Sequence, residues 1–158
     1  MALLLLLFIP AGVVLTCFFI GYGLGSIGRV GVRAADRRMW LRTAGALLGA
    51  VAVALYTWGL LCVAGAVLDA EDGGTDSSPL RPCRTPGQSE RALTVVDYSV
   101  AYVPLRFVCE TDDGGSYTAD SVPPHLNPAV LGAGLAAAGC ALAAAWDQER
   151  HAGRRPSV

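Results

Sequence analysis

The hydrophobic positions of the chain fall into three long runs, and a polar stretch separates the second run from the third. The runs cover residues 1–24, 43–68 and 127–146, and none of them contains Asp, Glu, Lys, Arg or His. About 20 apolar residues in a helix cross a bilayer core of about 30 Å. The pattern therefore predicts three transmembrane helices and an all-α membrane fold, with one sizeable insertion, residues 69–126, outside the bilayer.

The charged residues predict the orientation. The loop of residues 25–42 holds five Arg and one Asp, and the tail of residues 147–158 holds three Arg and two acidic residues. The insertion instead holds ten acidic residues and four Arg. Short loops rich in Arg stay in the cytoplasm. We expect a multi-pass plasma-membrane protein whose first span is retained, whose amino terminus and insertion lie outside, and whose carboxyl terminus is cytoplasmic.

Two patterns in the helices and their flanks remain open to two interpretations. Arg29, Arg33 and Arg37 are spaced four apart, and they either set the topology alone or also hold anionic lipid head groups. Small residues also recur four positions apart, at Gly21, Gly25, Gly45, Gly49, Gly132, Ala136, Cys140 and Ala144. They either let helix backbones approach closely or only reflect abundant Gly and Ala.

Specific packing partners follow from the close-packing interpretation. The Gly21–Gly25 pair lies at the inner end of the first span and the Gly45–Gly49 pair at the inner start of the second. We expect these two pairs to pack on each other. The third helix is expected to begin at Asn127, a good N-cap residue, and to pack against the other spans or another protein.

The insertion changes to a period of two, which is typical of strands. Apolar side chains occupy the even positions Val96, Tyr98, Val100 and Tyr102. After Pro104 they occupy the odd positions Leu105, Phe107 and Cys109. Such a change of parity indicates a bulge or a break. With an Asp-Gly turn signal at residues 113–114 and a short strand candidate at 116–119, we predict a small antiparallel hairpin or meander.

Two of the five cysteines, Cys83 and Cys109, lie in the insertion. Outside the cytoplasm thiols tend to be oxidised, so we expect a disulfide that stabilises the small sheet by roughly 3–4 kcal/mol. The alternative is a redox-active pair, with Cys62 as a third thiol. Enzymes resembling the quinone-linked disulfide formers or vitamin K epoxide reductase use four helices and a Cys-x-x-Cys pair, and this chain has neither.

Other chemistry has little support in the sequence. Runs without ionisable residues argue against a pump or an ion-coupled transporter. The two histidines, His125 and His151, are predicted on opposite sides of the membrane, and no nucleophile elbow, phosphate loop or zinc helix motif is present. The small number of basic residues and the absence of an aromatic platform argue against nucleic-acid binding. We expect no catalytic residues, no metal and no cofactor, and whether the acidic linker 69–78 binds a cation stays open.

Part of the sequence resembles a known group of bacterial membrane proteins. Residues 104–128 (PLRFVCETDDGGSYTADSVPPHLNP) precede an Ala-rich span, and Arg occupies every basic position because the chain has no Lys. These features resemble the uncharacterised small membrane proteins of high-GC actinobacteria. The resemblance covers about the last third of the chain and implies a bacterial plasma membrane, but it implies no function.

The combined expectation is a non-catalytic integral membrane protein that acts as an accessory or assembly subunit. Its partners would be the lipid bilayer and other membrane subunits, or a second copy of itself. Its insertion would dock through the candidate contacts Asp97, Tyr98, Tyr102 and Arg106. The alternatives are a membrane thiol-disulfide oxidoreductase that uses Cys83 and Cys109, and an outer-surface sensor or ligand-binding protein.

Overall fold

The computed structural model describes residues 2–30, 36–72 and 79–152. Its elements are α1 (Ala2–Val30), α2 (Arg37–Glu71), α3 (Ser89–Ala92), α4 (Leu126–Ala152) and strands β1 (Val95–Tyr102), β2 (Leu105–Thr111) and β3 (Ser116–Thr118). Helices α1, α2 and α4 are each long and apolar enough to cross a membrane. The described part is mostly helical with a small antiparallel sheet, so this coarse expectation is confirmed.

The helices are longer than the hydrophobic runs that predicted them. Helix α1 continues to Val30, and α2 begins at Arg37 and ends at Glu71. Hydrophobicity marks the length that lipid can cover, whereas Arg, Met and Leu propagate a helix well on either side of that limit. Arg29 and Arg37 consequently belong to different helices, and Arg33 lies outside the described residues.

The chain divides into two compact units. One, here called the sheet unit, combines Met1–Pro10 with Tyr56–Pro128, and the other, the helix unit, combines Ala11–Leu55 with Ala129–Val158. The sheet unit contains all three strands and α3, together with the first turns of α1 and the last turns of α2. The helix unit contains helical segments alone within its described residues.

The sheet is an antiparallel meander in the order β1-β2-β3. A two-residue turn with a cis peptide bond between Val103 and Pro104 joins β1 to β2. Val100 therefore lies opposite Phe107, and every even position of β1 meets an odd position of β2 through that part of the ladder. The change of parity in the sequence is thus the turn of a hairpin, while a register irregularity lies earlier, between Val95 and Asp97.

One face of this sheet packs on α2 to form the core of the sheet unit. Leu60, Val63, Val67 and Ala70 recur at intervals of three and four along α2 and are all buried, which is the spacing of one helix face. The fully buried Phe107 of β2 belongs to the same cluster. Part of the second hydrophobic run therefore contacts protein, because an apolar side chain suits a protein core as well as it suits lipid.

Within the helix unit, α1 and α4 both contact α2. The Ser26 and Thr43 hydroxyls are 2.9 Å apart between α1 and α2. A Cβ placed on Gly45 would lie 3.2 Å from the Cβ of Cys140 in α4. At the polar end, Arg37 Nε lies 4.0 Å from a carboxylate oxygen of Asp147. Many other large apolar side chains, including Phe18, Leu131 and Leu135, are exposed.

Candidate functional site

The disulfide lies inside the sheet unit. Cys83 ends a short 3₁₀ turn, Arg81–Cys83, and Cys109 is in the middle of β2. Their sulfurs are at disulfide distance, their Cα atoms are 6.1 Å apart, and neither residue has exposed surface. The Tyr117 hydroxyl donates a 2.7 Å hydrogen bond to the Cys83 carbonyl, and burial raises the pKa of that phenol.

The burial of Cys83 and Cys109 argues against the alternative that this pair exchanges disulfides with other thiols. A disulfide is reduced when a thiolate reaches one of its sulfurs, and both half-cystines are covered in the folded sheet unit. The remaining cysteines of the described residues, Cys17, Cys62 and Cys140, are free thiols on the long helices. The arrangement suits a cross-link between the 3₁₀ turn and the sheet better than a catalytic pair.

The four candidate contact residues of the sheet do not form one patch. Side chains alternate between the two faces of a strand, so Tyr98 and Tyr102 lie on the covered face and Asp97 and Arg106 on the opposite one. Asp97 and Arg106 are exposed. One Asp97 carboxylate oxygen accepts a 2.7 Å hydrogen bond from the Tyr98 backbone N–H. The structure thus separates the candidates into two tyrosines and two charged residues.

The two tyrosines attach the sheet to the helices of its own unit. Tyr98 stacks on Phe107 with ring centroids 5.0 Å apart, and its hydroxyl donates a 2.9 Å hydrogen bond to Glu71. Burial, followed by the hydrogen bond to the Glu71 carboxylate, raises the pKa of Tyr98. The Tyr102 ring lies edge-on to Phe8 of α1 with ring centroids 5.8 Å apart, and its carbonyl accepts a 3.0 Å hydrogen bond from the Tyr56 hydroxyl. The ring contacts give both tyrosines a structural role.

The opposite face of the sheet is open and largely polar. Its side chains come from the positions that alternate with the core: Asp97, Ser99, Ala101, Arg106, Val108, Glu110, Ser116 and Thr118. Val103, at the tip of the β1–β2 hairpin, is 90% exposed. We call this surface the open sheet face. It carries hydrogen-bonding groups and charges of both signs.

Two residues fix the hairpin in place: Asn127, which the sequence predicted only as an N-cap, and Gly59, which sequence reasoning did not single out. The Asn127 side chain accepts a 3.0 Å hydrogen bond from the Leu105 N–H and donates a 3.1 Å bond to the Leu105 carbonyl. Helix α4 begins one residue earlier, at Leu126, so Asn127 holds the hairpin where an N-cap was expected. Gly59 of α2 lies directly beneath, because a Cβ there would be 2.6 Å from Leu105 Cδ2.

The small residues of α1 and α2 do not pack as expected. A Cβ on Gly21 or Gly25 would meet nothing within 4 Å, whereas one on Gly23 would touch α2. Gly49 faces Phe19, and Gly45 faces α4. The expected pairing of the first two glycines with the second two is therefore wrong. Two positions along a helix correspond to a rotation of about 200°, so α1 presents the opposite face.

The small residues of α4 divide between two faces. Cys140 contacts Gly45 of α2, and Ala144 is 2% exposed. Gly132, Ala136 and Gly139 are exposed instead, and a Cβ on either glycine would meet nothing within 4 Å. Their spacing of four and three places them on one helix face. We call these three residues the open stripe of α4.

The acidic positions of the sheet unit contribute to local structure. In the turn between β2 and β3, an Asp113 carboxylate oxygen accepts hydrogen bonds from the Thr111 hydroxyl and from the Gly115 N–H. These two bonds hold the pKa of Asp113 below its usual value. Residues 73–78 of the acidic linker lie outside the described residues. Elsewhere, no three His, Cys, Asp or Glu side chains of the described chain are grouped to hold a metal ion.

Comparison with known proteins identified no relative of this chain. No protein-family model matches the chain, and searches of curated proteins and of solved structures found no significant match. Three features of the structure therefore bear on the function of the chain: the open sheet face, the open stripe of α4, and the buried disulfide.

Proposed function

We propose that this chain is an integral membrane protein with three spans. Residues 2–24 of α1, 43–68 of α2 and 127–146 of α4 hold no charged residue. At about 1.5 Å per residue these segments are roughly 30–39 Å long, which is enough to cross the hydrocarbon core of a bilayer. Exposed Phe18, Leu135 and Leu142 would contact lipid along these segments.

The same proposal assigns the two ends of the spans to different compartments. The end that carries Arg37, Arg38 and Arg42 would lie in the cytoplasm, following the distribution of Arg. The sheet unit would then lie outside the cytoplasm, where a disulfide forms and persists. The buried Cys83–Cys109 pair supports this assignment because cytosolic thiols are kept reduced.

We further propose that the protein is a non-catalytic accessory or assembly subunit of a membrane complex. The observation that carries this proposal is the open stripe of α4, since its small residues contact none of the described helices closely. Such a stripe gives lipid little side-chain area to pack against but allows a partner helix to approach closely. The open sheet face would provide a second, polar contact, with Asp97 and Arg106 exposed on it.

The test is recovery of the partner from native membranes. The full chain with a carboxyl-terminal tag is crosslinked in its membrane, purified in mild detergent and analysed by mass spectrometry. We expect a stoichiometric membrane partner with the wild-type chain and its loss with the double variant Gly132→Leu/Gly139→Leu, because leucines on the stripe prevent close approach. Leu131→Phe is the control, since it adds bulk to an exposed position of α4 on a different face from the stripe.

The outcomes separate the proposals. Crosslinks between copies of this chain that disappear in the double variant would identify the partner as a second copy. Recovery of an uncrosslinked monomer, unchanged by the double variant and by Asp97→Ala/Arg106→Ala, would refute the subunit role. Each variant is compared at equal abundance in the membrane, so that a folding defect is not mistaken for a lost contact.

A further inference from the structure

A groove of about 520 Å³ lies among the three helices of the helix unit. Its volume is in the range of pockets that hold small organic ligands. Phe19 of α1, Gly45 and Gly49 of α2, and Ala138 and Ala141 of α4 line its apolar part. Along α2 this apolar wall adjoins Arg42, and Gln148 of α4 also lines the groove. The groove is therefore apolar along its length and polar at one end.

The polar end carries positive charge. Arg38 and Arg42 both donate a hydrogen bond to the side-chain oxygen of Gln148, a neutral group. An adjoining pocket of about 280 Å³ is also lined by Arg38 and Arg42 and contains one carboxylate, that of Asp36. Asp36 accepts a 2.7 Å hydrogen bond from the Arg37 N–H. Among the described residues, neither Arg38 nor Arg42 forms an ion pair with a carboxylate.

An unsatisfied donor lies at the same place. The Nε atom of Arg38 is buried and has no hydrogen-bond partner among the described residues. A buried charged donor without an acceptor is costly, and such groups normally find a partner. Phosphate oxygens are strong acceptors that match the planar guanidinium. Arg38 lines the adjoining pocket, which shares Tyr22 and Arg42 with the groove, so this donor favours an anionic group where the groove and the pocket meet.

We propose that the groove binds an anionic phospholipid. One acyl chain lies along the wall of Gly49, Ala138 and Ala141, and the phosphate lies between Arg38 and Arg42. The ligand must have a charged end and an apolar body, because the groove has both. A partner helix would fill the apolar part but would leave the two guanidinium groups without a counter-ion. The proposal rests on the membrane location proposed above, in which this end of the helix unit faces the anionic cytoplasmic leaflet.

Native mass spectrometry of the full-length chain in mild nonionic detergent tests the proposal. Dioleoyl phosphatidylglycerol and dioleoyl phosphatidylcholine are titrated separately, because they share acyl chains and differ in head-group charge. We expect one bound phosphatidylglycerol per chain, at a concentration about 30-fold lower than phosphatidylcholine requires. That ratio corresponds to about 1 kcal/mol for each of the two Arg residues near the anionic group. Equal binding of the two lipids would overturn the proposal.

Two variants act by different routes, so that one remains informative if the other fails to fold. Arg42→Gln removes charge and should reduce the preference for phosphatidylglycerol about fivefold. Ala138→Leu fills the groove and should weaken binding of both lipids. Ala54→Leu adds the same bulk at an exposed position of α2 outside the groove and should change neither. Unchanged binding in both groove variants would overturn the proposal.

Two further measurements identify the source of the phosphate and the dependence on membrane location. Glycerol 1-phosphate, a head group without acyl chains, should not displace the lipid, and displacement at equal concentration would overturn the lipid assignment. The chain should also remain in vesicles after alkaline carbonate extraction. Release would overturn both the membrane proposal and this one, whereas retention with no lipid preference would overturn the lipid site alone.

Discussion

The Cys83–Cys109 disulfide should account for a large part of the stability of the sheet unit. The two residues are 26 positions apart in sequence, and the chain entropy removed by closing a loop of that length corresponds to about 3.5 kcal/mol. The double substitution Cys83→Ala/Cys109→Ala removes this constraint and also removes buried atoms from the core. We expect the free energy of unfolding of the sheet unit to fall by about that amount.

Proteolysis across a urea series measures the effect in detergent. With a urea dependence of about 1–3 kcal/mol per molar, the midpoint should fall by about 1–3 M. Cys17→Ala is the control, because Cys17 is an exposed free thiol on α1 and its substitution should leave the midpoint unchanged. The wild-type disulfide should also resist mild reductant until the sheet unit unfolds.

Two results would refute this reasoning. A loss below about 1 kcal/mol would mean that the cross-link adds little to the contacts around it. Ready reduction of the pair in the folded protein would mean that its sulfurs are accessible despite their burial. That second result would favour the thiol-disulfide oxidoreductase alternative over a structural disulfide.

Three further predictions concern the hairpin and its turns. Gly59→Leu should destabilise the sheet unit by about 1–3 kcal/mol in the same assay, because overpacking displaces Leu105, whereas Gly65→Leu, at an open position of α2, should not. Asn127→Ala should cost about 1–3 kcal/mol because it leaves the Leu105 N–H unpaired, and Asn127→Asp, which keeps the acceptor, should cost less. The pKa of the Asp113 carboxyl is lowered in the folded protein, so the ionised carboxylate stabilises the turn above the ordinary carboxyl pKa of about 4. This stabilisation is lost as the pH falls through the pKa that the carboxyl has in the folded state. Asp113→Asn should remove that acid dependence, as measured by backbone amide exchange.

The sequence predicted those features that depend on local pattern. Three uninterrupted apolar runs lead to three helices because no other regular element hides its own backbone hydrogen bonds over that length. The shift of apolar positions around Pro104 marked a bulge or a break, which in the structure is the turn of the β1–β2 hairpin, and the restriction of Cys83 and Cys109 to the insertion located the disulfide. Each of these predictions needs only the composition of a segment, the periodicity of its apolar positions, or the placement of a few residues.

Features that depend on which surfaces meet could not be predicted in this way. Glycines at positions 21, 23 and 25 of α1 are equally small, and only the packed structure shows that Gly23 faces α2. Tyr98 and Tyr102 were expected to be exposed because tyrosine suits an interface as well as a core. Hydropathy also cannot separate lipid from a protein core, which is why Leu60 and Val63 were placed in the membrane and not under the sheet.

The core of the sheet unit is formed by residues from distant parts of the sequence, so it can be completed only late in synthesis. The cluster joins Leu5, near the start of the chain, to Leu60 in α2 and Phe107 in β2, while Leu126 packs against Gly59 at the start of α4. Contacts so far apart in sequence form late, because the intervening chain must first be closed into loops. A nascent chain released before residue 127 would lack the amide that holds the hairpin. Such a product would present an incomplete sheet unit to quality-control proteases.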